Sequence, residues 1–255
     1  IFFMATIKKQ YGQHFLRDSS YLQTVFDTVS LSSESSVFEI GGGDGFLTRA
    51  ILDFDIKRLW VFEIDEEWAV ELRKIEDERL TVLLDNILDA DLSKMEQDKP
   101  WTLIANLPYN ITFPILRLLH AHRGMLTEGV IMIQEEVAQK ILASRGRGYG
   151  YVSLFFQWYF DWKLLDKVPP TAFYPPPKVF SRFLYFKPKK NLPDIFDEEK
   201  FWKFIKVCFK QPRRTLNNNL GGTHYLSHLS SDQLKLRAQQ LTMQELLELW
   251  DKINS

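Results

Sequence analysis

Two short stretches carry residues whose types and spacing can do chemistry. EIGGGDGFLT (39–48) has glycines at 41, 43 and 45, the residue needed where backbone takes positive φ or lies directly against a ligand. A dinucleotide fingerprint G-x-G-x-x-G would put its last glycine where Phe46 stands, so a ligand with a pyrophosphate is disfavoured. Glu63 lies 22 residues beyond Gly41, where a carboxylate accepts both hydroxyls of a ribose. Asp85, in LLDN, offers an acceptor to an adenine amino group. Taken singly, the loop also reads as a tight turn without a ligand, and Glu63 as a surface carboxylate beside Asp65 and Glu66. Taken together, they favour S-adenosylmethionine. The second stretch is NLPYN (106–110), which follows the apolar run WTLIA (101–105). It places a carboxamide, a rigid proline turn and an aromatic ring at one strand end. Without the glycine loop, a plain turn would be the simpler account.

These groups need strand ends to hold them. VFEI (37–40), RLWVFEI (58–64), LTVLL (80–84), WTLIA and GVIMI (129–133) read as strands. FLTRAILDF (46–54), EEWAVELRKIE (66–76) and FPILRLLHAH (113–122) have helical spacing between them. Strands alternating with helices imply a mostly parallel sheet covered on both faces. VSLFFQWYFDWKLLDKV (152–168) and RFLYFKP (182–188) read as further strands of that sheet. PKKNLPDI (188–195) has the prolines and charge of a linker. EEKFWKFIKVCFK (198–210), SSDQLKLRAQQL (230–241) and TMQELLELWDKI (242–253) are helical beyond it, with N-caps expected at Ser230 or Ser231 and at Thr242. The expected domains are therefore 1–190, α/β, and 191–255, all-α.

The motifs resemble those of the ribosomal RNA adenine N6,N6-dimethyltransferases, and most closely those acting on the small subunit. The matching pieces are YGQHFLRD (11–18), EIGGGDGFLT, FEID (62–65), NLPYNIT (106–112), YGYVS (149–153), PPTAFYPPPKVFSR (169–182) and FKQPRRTLNNNLG (209–221). The resemblance implies a Rossmann-like class I methyltransferase fold: a mostly parallel seven-stranded sheet with helices on both faces and a small C-terminal helical domain. It implies S-adenosylmethionine as cofactor, bound through His14, Leu16, Gly41, Gly43, Glu63, Asp85 and Asn106. Asparagine is frequent in the family where this chain has His14. It also implies a catalytic set of Asn106, Leu107, Pro108, Tyr109 and Phe173, with Phe173 closing the face of the base opposite Tyr109. The physics of the turn agrees. An exocyclic adenine amine is a poor nucleophile because its lone pair is delocalised into the ring. The Asn106 side-chain oxygen and the Leu107 carbonyl, oriented by Pro108, can accept both N–H groups and localise that pair. Tyr109 then offers a ring to a base that has left its stack.

Arg147, in ASRGRGYGY (143–151), and Lys210, Arg213 and Arg214, in KQPRRTLNNNLGG (210–222), are expected to contact RNA phosphates, with a solvated charged face as the competing account. The implied partner is small-subunit rRNA in a pre-30S-type particle, met by a cytoplasmic monomer without metal or membrane. Composition is compatible: the 255 residues carry a net charge of −1, but 53–99 hold 15 acidic against 7 basic residues, and 178–223 hold 11 basic against 4 acidic. Such asymmetry suits a polyanion met by one side, or two solvated surfaces. Cys208, the single cysteine, excludes an internal disulfide and a cysteine zinc site. No apolar run approaches the ~20 residues of a membrane span. IFFM is too short for a signal-peptide core, and Met4 is the expected natural start. His120 and His122, at i, i+2 on a helix, share no face and are not read as metal ligands. Two other functions remain open. One is the related large-subunit methyltransferase of macrolide resistance, whose members usually have isoleucine where this chain has Leu107. The other is a ribosome-assembly or transcription factor that keeps the fold without turnover.

Overall fold

The computed structural model describes Lys8 and residues 12–254. Its central sheet has seven strands: β2 (Ser36–Ile40), β3 (Arg58–Glu63), β4 (Leu80–Leu84), β5 (Trp101–Asn106), β6 (Leu126–Gln134), β7 (Phe160–Val168) and β9 (Ser181–Pro188), in the order β4-β3-β2-β5-β6-β9-β7. The pairs from β4 across to β6 are parallel, and β9 pairs antiparallel with β6. β2 is buried throughout and β5 nearly so, which is why VFEI and WTLIA are almost continuously apolar: helices cover both faces. A two-residue strand, β1 (Phe15–Leu16), pairs antiparallel with β8 (Phe173–Tyr174).

Helix α1 (Ser20–Thr28) is one that the sequence reading did not include, whereas α2 (Phe46–Leu52), α3 (Glu66–Leu72) and α4 (Thr112–Ala121) follow the expected periodic segments. Leu22, Val25, Ile51 and Leu72 from α1–α3 pack with Val37, Leu59, Val61 and Ile104 of the sheet in one core cluster. Asp65 caps α3 by accepting from the Glu67 amide at 3.1 Å. The strand order reverses between β2 and β5, and ligands of open α/β sheets bind at the carboxyl ends of the strands flanking such a reversal. The loop after β2 is the glycine loop; the loop after β5 is NLPYN.

The remaining helices are α5 (Glu135–Leu142), α6 (Tyr151–Tyr159), α7 (Glu198–Cys208), α8 (Leu216–Leu220), α9 (Ser231–Lys235) and α10 (Met243–Asn254). Contacts divide the chain into two units: one runs to Ala138 and includes Asp161–Pro188, and the other comprises Gln139–Phe160 and Lys189–Ser255. The second differs from a simple cut at residue 190 by taking in α6. In it, Phe201 and Phe204 of α7 pack their rings against Trp250 of α10, at 6.0 and 5.6 Å between centroids.

Two expectations for this region are corrected. The run VSLFFQWYF begins as helix, not strand. Ser153 Oγ accepts from the Gly150 amide at 2.8 Å to start α6, and the helix sets Phe155 and Tyr159 against Trp202. A mostly apolar, aromatic run with only Ser153 and Gln157 to break it has too weak a period to separate helix from strand. The segment 230–241 is not one helix either. The Leu216 amide donates to the Leu236 carbonyl at 2.7 Å, and Thr215 bridges Arg237, which draws the chain out straight after α9. The caps fall as expected: Ser230 Oγ accepts from the Gln233 amide, and Thr242 Oγ1 from the Glu245 amide.

Candidate active site

The ends of β2, β3 and β5 and the segment before β1 line one cleft of about 530 Å³, counting space open to solvent at its mouth. Its walls include His14, Gly41, Gly43, Glu63, Asn106 and the Leu107–Tyr109 turn. Eight of the predicted site residues thus meet in one place.

Gly43 is glycine for two reasons. Its φ is +52°, and a Cβ would lie 2.3 Å from the Phe15 ring. Because the loop has no side chain there, its amide reaches Glu63 Oε2 at 2.8 Å, while the Asp65 amide donates to Oε1 at 2.9 Å. Glu63 is only 4% exposed, and burial pushes its carboxyl above the usual range against those two bonds. A buried carboxylate with one amide on each oxygen keeps lone pairs for further donors, which is what a vicinal diol supplies. Gly41, with φ +77°, would present a Cβ to open space, so the loop's other face is clear.

Asn106 ends β5 and donates from Nδ2 to the His14 carbonyl at 2.9 Å. That bond orients the planar amide, and no described residue donates to its Oδ1. The Leu107 amide donates to the Met132 carbonyl at 3.0 Å, fixing the turn to β6, and no described donor reaches the Leu107 carbonyl. Pro108 holds φ at −57°. Tyr109 is held from two sides. Its hydroxyl shares a 2.5 Å hydrogen bond with Ser181 Oγ, and its ring stacks on His14 at 5.7 Å. Burial raises the Tyr109 hydroxyl above its ordinary pKa, so it remains a neutral phenol. His14 is itself held through Nδ1, 2.7 Å from the Pro175 carbonyl. A carbonyl only accepts, so Nδ1 carries the proton.

Leu16 lies in a smaller neighbouring cavity that shares Phe15, Gly41 and Asn106 with the cleft. Two predicted residues stand apart. Asp85 is exposed and does not line the cleft: its amide donates to the Glu63 carbonyl at 3.1 Å, closing the β3–β4 ladder, and β4 is the sheet edge. Phe173 is buried in the core opposite Leu16, because strand alternation on β8 turns Phe173 in and Tyr174 out. Sequence reasoning also missed Phe15, wedged between Gly43 and Trp68; Gln13, which with Lys8 ties the N-terminal segment to Asp65; and Ser181. All three stand in quoted motifs, but their partners are distant in sequence.

The RNA-facing expectations fall in the second unit. Arg147 and Arg213 line an open groove of about 1750 Å³, with Lys140, Lys206, Tyr151 and Phe209. Lys206 Nζ sits 4.9 Å from the Tyr151 ring centroid. Lys210 and Arg214 are exposed but do not line it.

A doubly wound sheet with a glycine loop and a buried carboxylate at its reversal is a nucleotide-site architecture, and with β9 running antiparallel beside β6 it is the fold of the Rossmann-like methyltransferases. Comparison with known proteins narrows this. The family model "Ribosomal RNA adenine dimethylase" matches residues 4–253. Ribosomal RNA small subunit methyltransferase A of Syntrophotalea carbinolica is 38% identical over 84% of this chain and 82% of that protein. Its counterpart in Mycoplasma mobile is 35% identical over 97% of this chain and 98% of that one. Among solved structures, a dimethyladenosine transferase from Plasmodium falciparum superposes with TM-score 0.79 at 21% identity, covering 94% of this chain and 97% of that one. The 23S rRNA methyltransferase ErmE gives 0.73 at 21%, covering 94% and 100%. At such identities the structural likeness is one of fold. The chain belongs to the ribosomal RNA adenine dimethylase family.

Proposed function

We propose that this chain dimethylates N6 of two neighbouring adenines in a small-subunit rRNA hairpin, using S-adenosylmethionine. The observation that carries the reading is that the Gly43–Glu63 cradle and the Asn106–Tyr109 turn share one cleft. Sequence relatives named for the small subunit support it over the large-subunit alternative, and an intact turn and cradle argue against a factor without turnover.

The cofactor, when bound, supplies an electrophilic methyl on a sulfonium. Glu63 would accept the ribose hydroxyls, and Gly41 would leave its backbone open beside them. His14 and Leu16 would cover the site through their backbone and packing, and Asp85, outside the cleft, has no part in holding the cofactor. On the acceptor side, Asn106 Oδ1 and the Leu107 carbonyl take the two amine protons in hydrogen bonds. The nitrogen becomes pyramidal and its lone pair localised. Tyr109, locked by Ser181 and His14, stacks the extruded base so that this lone pair faces the methyl. S-adenosylmethionine would supply the methyl and leave as a neutral thioether; the alkylated amine, held by Asn106 Oδ1 and the Leu107 carbonyl, would be acidic enough to lose its proton to solvent, so no strong base is required. The same geometry serves the second methyl, with one N–H left to hold. Arg147 and Arg213, with Lys140 and Lys206 in the groove and Lys210 and Arg214 outside it, contact phosphates and set a salt-dependent affinity. The enzyme acts as a cytoplasmic monomer on a partly assembled particle.

The test is incubation with labelled S-adenosylmethionine and unmethylated small-subunit particles, followed by mass spectrometry of the rRNA. Two adjacent N6,N6-dimethyladenosines are expected. Their absence at saturating donor ends the proposal.

A further inference from the structure

Among the described residues, few large apolar side chains are strongly exposed, and three of them, Tyr174, Val179 and Phe180, fall in one short segment. That segment is anchored at both ends to side chains lining the cleft. Tyr174 pairs with Phe15, and the next residue's carbonyl, that of Pro175, meets the His14 ring. Phe180 directly precedes Ser181, which holds the Tyr109 hydroxyl. Between the anchors, Pro177 is buried and Lys178 exposed, so the segment is seated on the protein while presenting rings and a cation to solvent. Tyr174 is 61% exposed and Phe180 46%. Lys167 Nζ lies 4.4 Å from the Phe180 ring centroid, a second cation beside the same surface.

We infer that Tyr174 and Phe180 form a stacking shelf for the unpaired nucleotides flanking the target adenine; this rests on the function proposed above. An adenine drawn into the cleft leaves its neighbours with an uncovered face. An aromatic ring beside the cleft restores that stacking without reading base identity, because every base has a π-face. Lys167 and Lys178 then meet the phosphates that accompany those bases. RNA is favoured over a protein partner because the exposed residues are rings interleaved with cations, anchored to a site that acts on RNA.

The double variant Tyr174→Ala/Phe180→Ala is expected to raise KM for unmethylated small-subunit particles about 10-fold or more, with kcat within about twofold. Its Kd for the particle should weaken in parallel, while Tm and affinity for S-adenosylhomocysteine stay unchanged. Tyr174→Phe/Phe180→Tyr restores wild-type behaviour, whereas Tyr174→Leu/Phe180→Leu does not, since leucine keeps apolar area but cannot stack. A wild-type KM in the alanine variant overturns the inference. Full rescue by leucine does so too, and points to an apolar contact with a ribosomal protein. If the wild-type protein transferred no methyl, the function above would fall, and the ranking of particle Kd values would still decide the shelf.

Discussion

The cleft of the α/β unit and the groove of the helical unit are built from different parts of the polypeptide. The cleft uses backbone and short, tethered side chains: the Gly43 amide, the Leu107 carbonyl, and an Asn106 amide oriented by the His14 carbonyl. The groove is larger, about 1750 against about 530 Å³ by the same measure, and is lined by the ends of Lys140, Arg147, Lys206 and Arg213. Tethered groups hold reacting atoms within the tolerance that positioning demands. Long cations tolerate a variable partner and act through screened charge. The two regions should therefore fail in different ways: the cleft in kcat and cofactor affinity, the groove in RNA affinity and its response to salt.

The sharpest break is Asn106→Ala. It frees the His14 carbonyl and, on the proposed mechanism, removes one of the two acceptors for the amine. Losing one pre-organised polar partner of a transition state typically costs about 10²–10³ in kcat. Such a fall is expected, with particle Kd within about twofold. A variant that lost RNA binding in proportion would erase the distinction between the two regions.

Gly43→Ala comes next. A Cβ at φ +52° and 2.3 Å from the Phe15 ring forces the loop or the N-terminal segment aside. Calorimetry with S-adenosylhomocysteine should show affinity reduced by about 10-fold or more, at about 1–3 kcal/mol for such strain. RNA affinity should hold. For the groove, Arg147→Ala/Arg213→Ala should weaken particle binding severalfold and make log Kd less steep in log salt by about 0.7–0.9 per cation lost. Titrations from low to physiological salt read this directly. An unchanged slope would mean that the groove is a solvated face.

What was legible in the sequence follows the same division. Gly41, Gly43, Asn106 and Pro108 were readable because each meets a local backbone demand, and Glu63 because it stands at a strand end at a known spacing. The parallel sheet was readable from apolar runs alternating with helical ones. α6 was not, because Val152–Tyr159 is dominated by aromatic and aliphatic residues and its two polar ones, Ser153 and Gln157, are too few to set a clear period, so the Gly150–Ser153 bond and the packing on Trp202 decide for helix. The roles of Phe15 and Ser181 were hidden for another reason. Phe15 matters by touching Gly43 and Trp68, and Ser181 by reaching Tyr109 across 72 residues. Phe173 and Tyr174 show the limit of a motif: it finds the segment, but the pairing of β8 with β1 decides which ring faces the core.

The smallest effect on turnover, and the finest test of how dry the surroundings of the glycine loop are, comes from Glu39→Gln, at a residue lining the smaller cavity beside the cleft. Glu39, next to last in β2 and just before the glycine loop, is almost fully buried and accepts from Thr48 Oγ1 at 2.6 Å. Burial pushes its carboxyl up to about 8, with Glu63 and Asp44 pressing the same way and the Thr48 bond opposing. The folded protein thus binds this proton more tightly than the unfolded chain does. The stability that Glu39 contributes is fully present below its unfolded value near 4.5, declines as pH rises, and is lost once pH passes about 8. Glutamine keeps an acceptor for Thr48 and cannot ionise. The difference in Tm between Glu39→Gln and wild type should therefore be small near pH 5, grow in favour of the variant toward pH 8, and level off above it, with kcat at pH 7 within about twofold. A difference that stayed flat across this range would mean that Glu39 is already ionised in the folded protein. The cavity beside the cleft would then be as wet as the groove, and the contrast between a dry, pre-organised glycine-loop region and a solvated groove would fail at its base.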